Sequence, residues 1–289
     1  MPSRKRISRT PRLKAATWKP NKTALITGAS SGIGYDLASI FAENGYNVVL
    51  VARRKDKLLA LANQAQQIFG VSAYVLQKDL TRPESSVEIR RELDRAGIHI
   101  DVLVNNAGFG LLGRFATSAN GEELDMIQVN VVTPVHLTKL FLPDMLLRGS
   151  GKILNVASTA GFQPGPYMAN YYATKAYLIS FSLGLAEEVR ERGVTVSVLC
   201  PGPTPTGFRA RAGIKKSAFG GIADMDSRVV ARAGFEGLIA GSPLIVPGVF
   251  NKLGTIAVRL LPAGLAARIV ASAQKRRMDD SQVSVIRQP

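Results

Sequence analysis

The stretch "TALITGASSGIGYDLASIFAENG" (residues 23–45) decides the fold. A short apolar run, TALIT, leads into a turn with glycines at 28, 32 and 34, and the turn leads into helical periodicity from about 33 to 44. Glycines in the pattern G-x-x-x-G-x-G permit a tight turn and let the backbone approach a pyrophosphate, which then rests on the helix N-terminus. Strand before and helix after are the context such a turn requires. The turn is therefore expected to hold a dinucleotide, with Gly28, Ser30, Ser31, Gly32, Ile33 and Gly34 around it.

The next apolar run, NVVLV (47–51), ends in Ala52, Arg53 and Arg54. A site for NAD usually carries an acidic residue about 20 residues after the glycines, bonded to the ribose 2′-hydroxyl. None stands here. A guanidinium bonds a 2′-phosphate well and a carboxylate would repel it, so NADP(H) is expected over NAD(H), with Arg53 ahead of Arg54. The alternative is that both arginines simply begin the next helix in solvent. Asp79 and Leu80, after the third strand, are expected to border the adenine.

Outward from this unit the rhythm repeats. Apolar runs at 23–27, 47–51, 72–77, 101–105, 152–158, 194–199 and 244–246 alternate with helical segments at about 33–44, 55–69, 83–96, 121–148, 170–191 and 226–240. Continuous rather than alternating apolar runs mark strands buried on both faces. The expected fold is α/β: a doubly wound, Rossmann-like parallel sheet of about seven strands in one domain. A basic tail (1–21) is expected to be disordered. A catalytic domain (22–247) follows, with a lid at 203–225 rich in Gly and Pro, and then an amphipathic helical extension (248–289).

Of 289 residues, 46% are apolar and 20% charged, which excludes a disordered chain. Cys200 is the only cysteine, so no internal disulfide forms and a reducing cytoplasm is the expected compartment. Two histidines and no Cys/His cluster argue against a metal site. Residues 1–22 hold eight of the 37 Lys/Arg and no acid, which is half of the net charge of +16. Contact of that tail with anionic lipid or nucleic acid and a solvated leader both stay open, the leader being preferred. No segment has the apolar length of a membrane span; the nearest, 253–273, is broken by Arg259, Pro262 and Arg268.

"NYYATKAYLI" (170–179) sets two tyrosines near one lysine. Tyr171 stands four residues before Lys175 and Tyr172 three, so on a helix either could face it. Together with TGASSGIG (27–34), NNAG (105–108), Asn130, Ser158 and PGPTPT (201–206), this stretch makes the chain resemble the short-chain dehydrogenase/reductase family over residues 20–247. The family's Y-x-x-x-K signature selects Tyr171. The resemblance implies a catalytic tetrad of Asn130, Ser158, Tyr171 and Lys175 that interconverts a carbonyl and an alcohol by hydride transfer. A cation one helical turn away is expected to lower the Tyr171 pKa. Tyr172 is expected in the pocket wall.

The resemblance further implies that Asn106, Ala107 and Gly108 pack against the cofactor, that Lys175 and Tyr171 reach it, and that Pro201, Gly202 and Thr206 border its nicotinamide end. A water chain is expected at Asn130. Homo-oligomerisation, as dimer or tetramer, is expected through 121–148 and 170–191. Tyr167, Tyr172 and Phe208 suggest an apolar pocket for a medium or bulky carbonyl. Arg209, Arg211, Lys215 and Lys216 suit an acidic carrier or a solvated lid. The C-terminal extension is open to pocket cover, dimerisation or peripheral membrane contact. The competing function is an NADPH-binding sensor or scaffold without turnover.

Overall fold

Thr23–Thr27 (β1) is buried along its whole length, as is Asn47–Ala52 (β2), because both strands are covered on two faces by helices. The computed structural model describes residues 18–214 and 224–278. Expectations placed on 1–17, on Lys215 and Lys216, and on 279–289 lie outside the described residues.

Seven strands form one sheet in the order β3-β2-β1-β4-β5-β6-β7, every neighbouring pair parallel. The remaining strands are Ala73–Gln77 (β3), Val102–Asn105 (β4), Gly151–Val156 (β5), Val194–Leu199 (β6) and Leu244–Ile245 (β7). One face carries Gly32–Glu43 (α1), Lys55–Phe69 (α2) and Ser227–Ile239 (α8), with Phe41 set edge-on to Phe235 at 5.0 Å between centroids. The other carries Ser85–Ala96 (α3), Asn120–Ile127 (α4), Thr133–Arg148 (α5) and Ala169–Glu188 (α6). The chain leaves β1 in one direction and returns through β4 on its other side. That switch point opens a crevice at the carboxyl ends of the strands, where doubly wound sheets bind ligands.

Two expected helices are each divided. The segment 121–148 is α4 and α5 joined by a π-turn at Gln128–Val132, with Asn130 in the turn. Such turns are frequent at functional sites. The C-terminal extension is Val249–Leu260 (α9) and Ala263–Lys275 (α10), with Pro262, which has no N–H to continue a helix, between them. Residues 18–21, assigned to the tail, are tied to the sheet. Trp18 stands edge-on to Tyr74, and the Asn47 amide donates to the Lys19 carbonyl at 2.7 Å. Gly207–Arg211 (α7) lies within the expected lid.

Candidate active site

The glycine turn and the NNAG loop are built into each other. Gly28 has φ +69°, a conformation that side chains resist, and a Cβ on it would stand 2.8 Å from the Asn106 amide nitrogen. A Cβ on Gly34 would stand 2.5 Å from the Gly28 carbonyl oxygen, so the helix can approach the turn only as glycine. Thr27 Oγ1 accepts from the amides of Asn106 and Ala107, both at 3.0 Å, and the Asn106 side chain donates to the Thr27 carbonyl at 2.9 Å. Asn105 points elsewhere: it donates to Asn155 Oδ1 at 2.9 Å in a buried network beneath the sheet.

Ser30, Ser31, Gly32, Ile33 and Gly34 line a cavity of about 840 Å³ that also takes in Arg53, Arg54, Asp79, Leu80, Asn106, Ala107 and Gly108. The two arginines part company. Arg54 lies over the N-terminus of α1, donating to Ser31 Oγ at 2.7 Å and Ser30 Oγ at 3.0 Å. Arg53 faces Asp79 at 4.0 Å. Arg211 of α7 stacks on the Phe109 ring at 3.7 Å. Burial lowers its pKa first and the nearby Arg53 charge lowers it further, so the lid brings a third guanidinium to the same end of the cavity.

At the other end stand Ser158, Tyr171 and Lys175. Ser158 follows β5, where its Oγ accepts from the Ala160 amide at 3.1 Å. Tyr171 and Lys175 lie on α6, both buried, with Lys175 Nζ 5.8 Å from the Tyr171 ring centre and donating to the Val156 carbonyl at 2.9 Å. Burial dominates the electrostatics. It raises the Tyr171 pKa above the usual phenol range, against the opposing pull of a hydrogen bond with Ser158. It also brings Lys175 down to about 8. The expected lowering of the Tyr171 pKa by the lysine is therefore not found. A cation that is itself desolvated and weakened supplies too little to overcome burial of the phenol.

Asn130 is fully buried. Its Oδ1 accepts from the Phe109 amide at 3.1 Å, and its Nδ2 donates to the Phe109 carbonyl at 2.9 Å and Thr174 Oγ1 at 3.1 Å. The side chain thus clamps the loop after β4 to α6, and both its polar atoms are engaged. A Cβ on Gly108 would come within 3.1 Å of Asn130 and 3.3 Å of Lys175 Nζ. Pro201, Gly202 and Thr206 line the cavity mouth, with Thr206 opposite Gly32. Cys200 is buried and its thiol is pushed up to about 12, chiefly by burial, so it is no nucleophile.

Residues 22–216 match the family model for short chain dehydrogenase. The chain belongs to the short-chain dehydrogenase family. Among its relatives is 17-beta-hydroxysteroid dehydrogenase type 3 of Mus musculus, 36% identical over 180 residues, which are 62% of this chain and 58% of that protein. The match thus spans less than two thirds of that relative. A solved short-chain dehydrogenase from Sphingobium yanoikuyae in complex with NADPH is 30% identical, with a TM-score of 0.75 over 90% of this chain and 97% of its own. The bulky-bulky ketone specific alcohol dehydrogenase from Comamonas testosteroni is also 30% identical, with a TM-score of 0.70 over 83% and 93%.

In this chain the C-terminal helices form one wall of the cavity. Phe250, Asn251, Thr255 and Val258 of α9 line it, as do Ile269, Val270 and Gln274 of α10. Gln274 donates to the Tyr172 hydroxyl at 2.9 Å, which fixes α10 beside α6 and makes Tyr172 a wall residue. Met168 and Phe208 also face the cavity, whereas Tyr167, expected there, instead packs under Arg114 at 5.9 Å. Arg209, expected as a free lid cation, pairs with Asp224 at 2.5 Å. Amphipathic periodicity marked the extension as helical, but no local pattern identified its lining residues. Among the described residues no group of three His, Cys, Asp or Glu comes together to hold a metal, and no helix is long and apolar enough to cross a membrane.

Proposed function

We propose that this oxidoreductase interconverts a bulky apolar ketone or aldehyde and its alcohol with NADP(H), Tyr171 acting as general acid and base. The observation that carries this is the placement of Ser158, Tyr171 and Lys175 in one cavity with a glycine cradle and the N-terminus of α1. A nicotinamide dinucleotide fits that cradle: Gly28, Gly32 and Gly34 line the cavity without side chains to obstruct it, and an anion suits the helix terminus. Three arginines without an equal number of acids favour the extra phosphate of NADP(H); Arg53 and Arg211 are the pair expected on it, with Arg54 holding the turn. The solved relative in complex with NADPH supports the same preference. The apolar wall supplied by Phe208, Val258 and Ile269 supports a bulky substrate, as do the bulky-ketone and steroid dehydrogenases among the relatives.

When bound, the cofactor supplies the hydride. Tyr171, kept protonated by burial, donates its phenolic proton to the oxygen that gains charge. Ser158 donates a hydrogen bond to that same oxygen and holds the carbonyl in line. Lys175 keeps a cation within reach of the phenolate left behind, and the Asn130 clamp fixes the loop that bounds the site. Homo-oligomerisation through 121–148 and 170–191 belongs to the same proposal; Leu124, Leu147 and Tyr177 on those segments are exposed. The test is NADPH oxidation by the purified protein with short aldehydes, cyclic and steroid-like ketones and 3-oxoacyl thioesters, with NADH in parallel. Turnover of ketones with NADPH is expected. Turnover with NADH alone, or only of short aldehydes, overturns the proposal.

A further inference from the structure

Eight of the seventeen large apolar side chains exposed in the described chain fall between residues 249 and 269. Of these, Val249, Leu253, Ile256 and Leu260 on α9 are spaced i, i+4, i+7 and i+11, so they share one face turned away from buried Thr255. Leu265 and Ile269 continue the patch on α10. A patch of this kind on a surface otherwise holding scattered apolar residues marks an interaction site. The helices are docked: Arg259 lies over the Phe162 ring at 4.7 Å, and Gln274 binds Tyr172.

The charge around the patch identifies what covers it. Residues 248–278 hold six Lys/Arg and no acid. Lys252 and Arg259 flank the apolar face of α9 on one side, and Arg268, Lys275 and Arg276 are exposed on α10. Two copies meeting through this face would bring those cations together with nothing in the segment to neutralise them. An anionic bilayer accepts both parts at once, with cations at the headgroups and the apolar face in the acyl boundary. Phe250 and Ile269 are 77% and 51% exposed yet line the cavity, so its rim reaches the edge of this patch.

We infer that α9 and α10 form a platform that seats the protein on an anionic lipid surface and admits a bilayer-dissolved carbonyl substrate directly into the cavity. The choice of an apolar carbonyl as cargo rests on the function proposed above; the lipid contact does not. The platform predicts that KM for a lipophilic ketone falls when vesicles carry it, whereas KM for a water-soluble ketone is indifferent to vesicles.

The test is flotation of the full-length protein with vesicles of phosphatidylcholine alone and of phosphatidylcholine with phosphatidylglycerol, read without cofactor or substrate. Binding to the mixed vesicles is expected. Leu253→Glu with Leu260→Glu, two exposed positions outside the cavity lining, should weaken it by at least roughly tenfold. Turnover of a water-soluble ketone by the double variant should be unchanged, which shows that it folds. No binding by the wild type overturns the inference. Equal binding by the double variant overturns it too, because the basic N-terminal segment would then suffice. A wild-type dimer that the double variant converts to monomer, without vesicle binding, assigns the face to a second copy instead. Vesicle binding without turnover of any carbonyl leaves the platform standing and removes the proposed substrate class.

Discussion

At Tyr171 burial and hydrogen bonding pull in opposite directions, and burial wins. A phenol kept neutral is ready to donate a proton but slow to accept one. Reduction should therefore hold steady across neutral pH, while alcohol oxidation, which needs the phenolate, should rise as pH increases; pH–rate profiles of kcat/KM in both directions check this. Tyr171→Phe should lower kcat by roughly 10²- to 10⁴-fold with cofactor affinity nearly intact. Tyr172→Phe loses only the bond from Gln274 and should cost about fivefold or less. Reversed severity would falsify the assignment. Lys175 titrates near 8 in the folded chain and near 10.4 when free. Between those values the unfolded chain holds a proton that the folded one has released, so stability rises with pH across that window, and the cost of charging the buried amine is fully present only below it. Relative to Lys175→Met, the wild type should gain thermal stability as pH is raised from about 8 to about 10.

At the scale of elements, the proposed 2′-phosphate discrimination is divided between the end of β2 and the short lid helix α7. Arg53→Ala and Arg211→Ala should each weaken NADPH by roughly ten- to a hundredfold and NADH by less than about threefold, as measured by titration calorimetry. An equal loss for both dinucleotides would remove that arginine from the phosphate. The parallel sheet and the glycine turn were legible in the sequence because strands buried on both faces leave continuous apolar runs, and because Gly28 and Gly34 have no alternative residue in their geometry. Ser158, Tyr171 and Lys175 were legible as a motif. What escaped were the contacts set by tertiary placement. The engagement of Arg54 with Ser30 and Ser31 depends on how α2 meets α1, and nothing in ARRK distinguishes it from Arg53. The Asn130 clamp depends on a π-turn within an unbroken helical pattern, and the pairing of Gln274 with Tyr172 spans 102 residues. The sign of the Tyr171 shift was misjudged because spacing reveals a neighbouring cation but not how dry the helix face is.

Over the whole molecule, charge is unevenly disposed, and the cavity concentrates it. Arg53, Arg54, Arg209, Arg211 and Arg277 all reach the cavity lining, against Asp79 there and Asp224 on Arg209, while Lys78 is neutralised by Glu88 and Glu92. A cleft lined by one sign of charge between low-dielectric walls focuses its field outward and raises the encounter rate of an oppositely charged ligand. The remaining excess of a chain at +16 acts in the same direction. NADPH carries one phosphate more than NADH, so it should feel this field more strongly. Stopped-flow binding should therefore show an association rate for NADPH that falls steeply with added salt, on the order of tenfold as the Debye length shrinks from about 30 Å to about 8 Å. The rate for NADH should fall less. Dissociation rates should move little, because the short contacts made inside the cavity are screened far less than the long-range approach. If both dinucleotides showed the same salt slope, the arginines would be serving the pyrophosphate alone, and the proposed preference for NADP(H) would have to come from contacts formed after encounter.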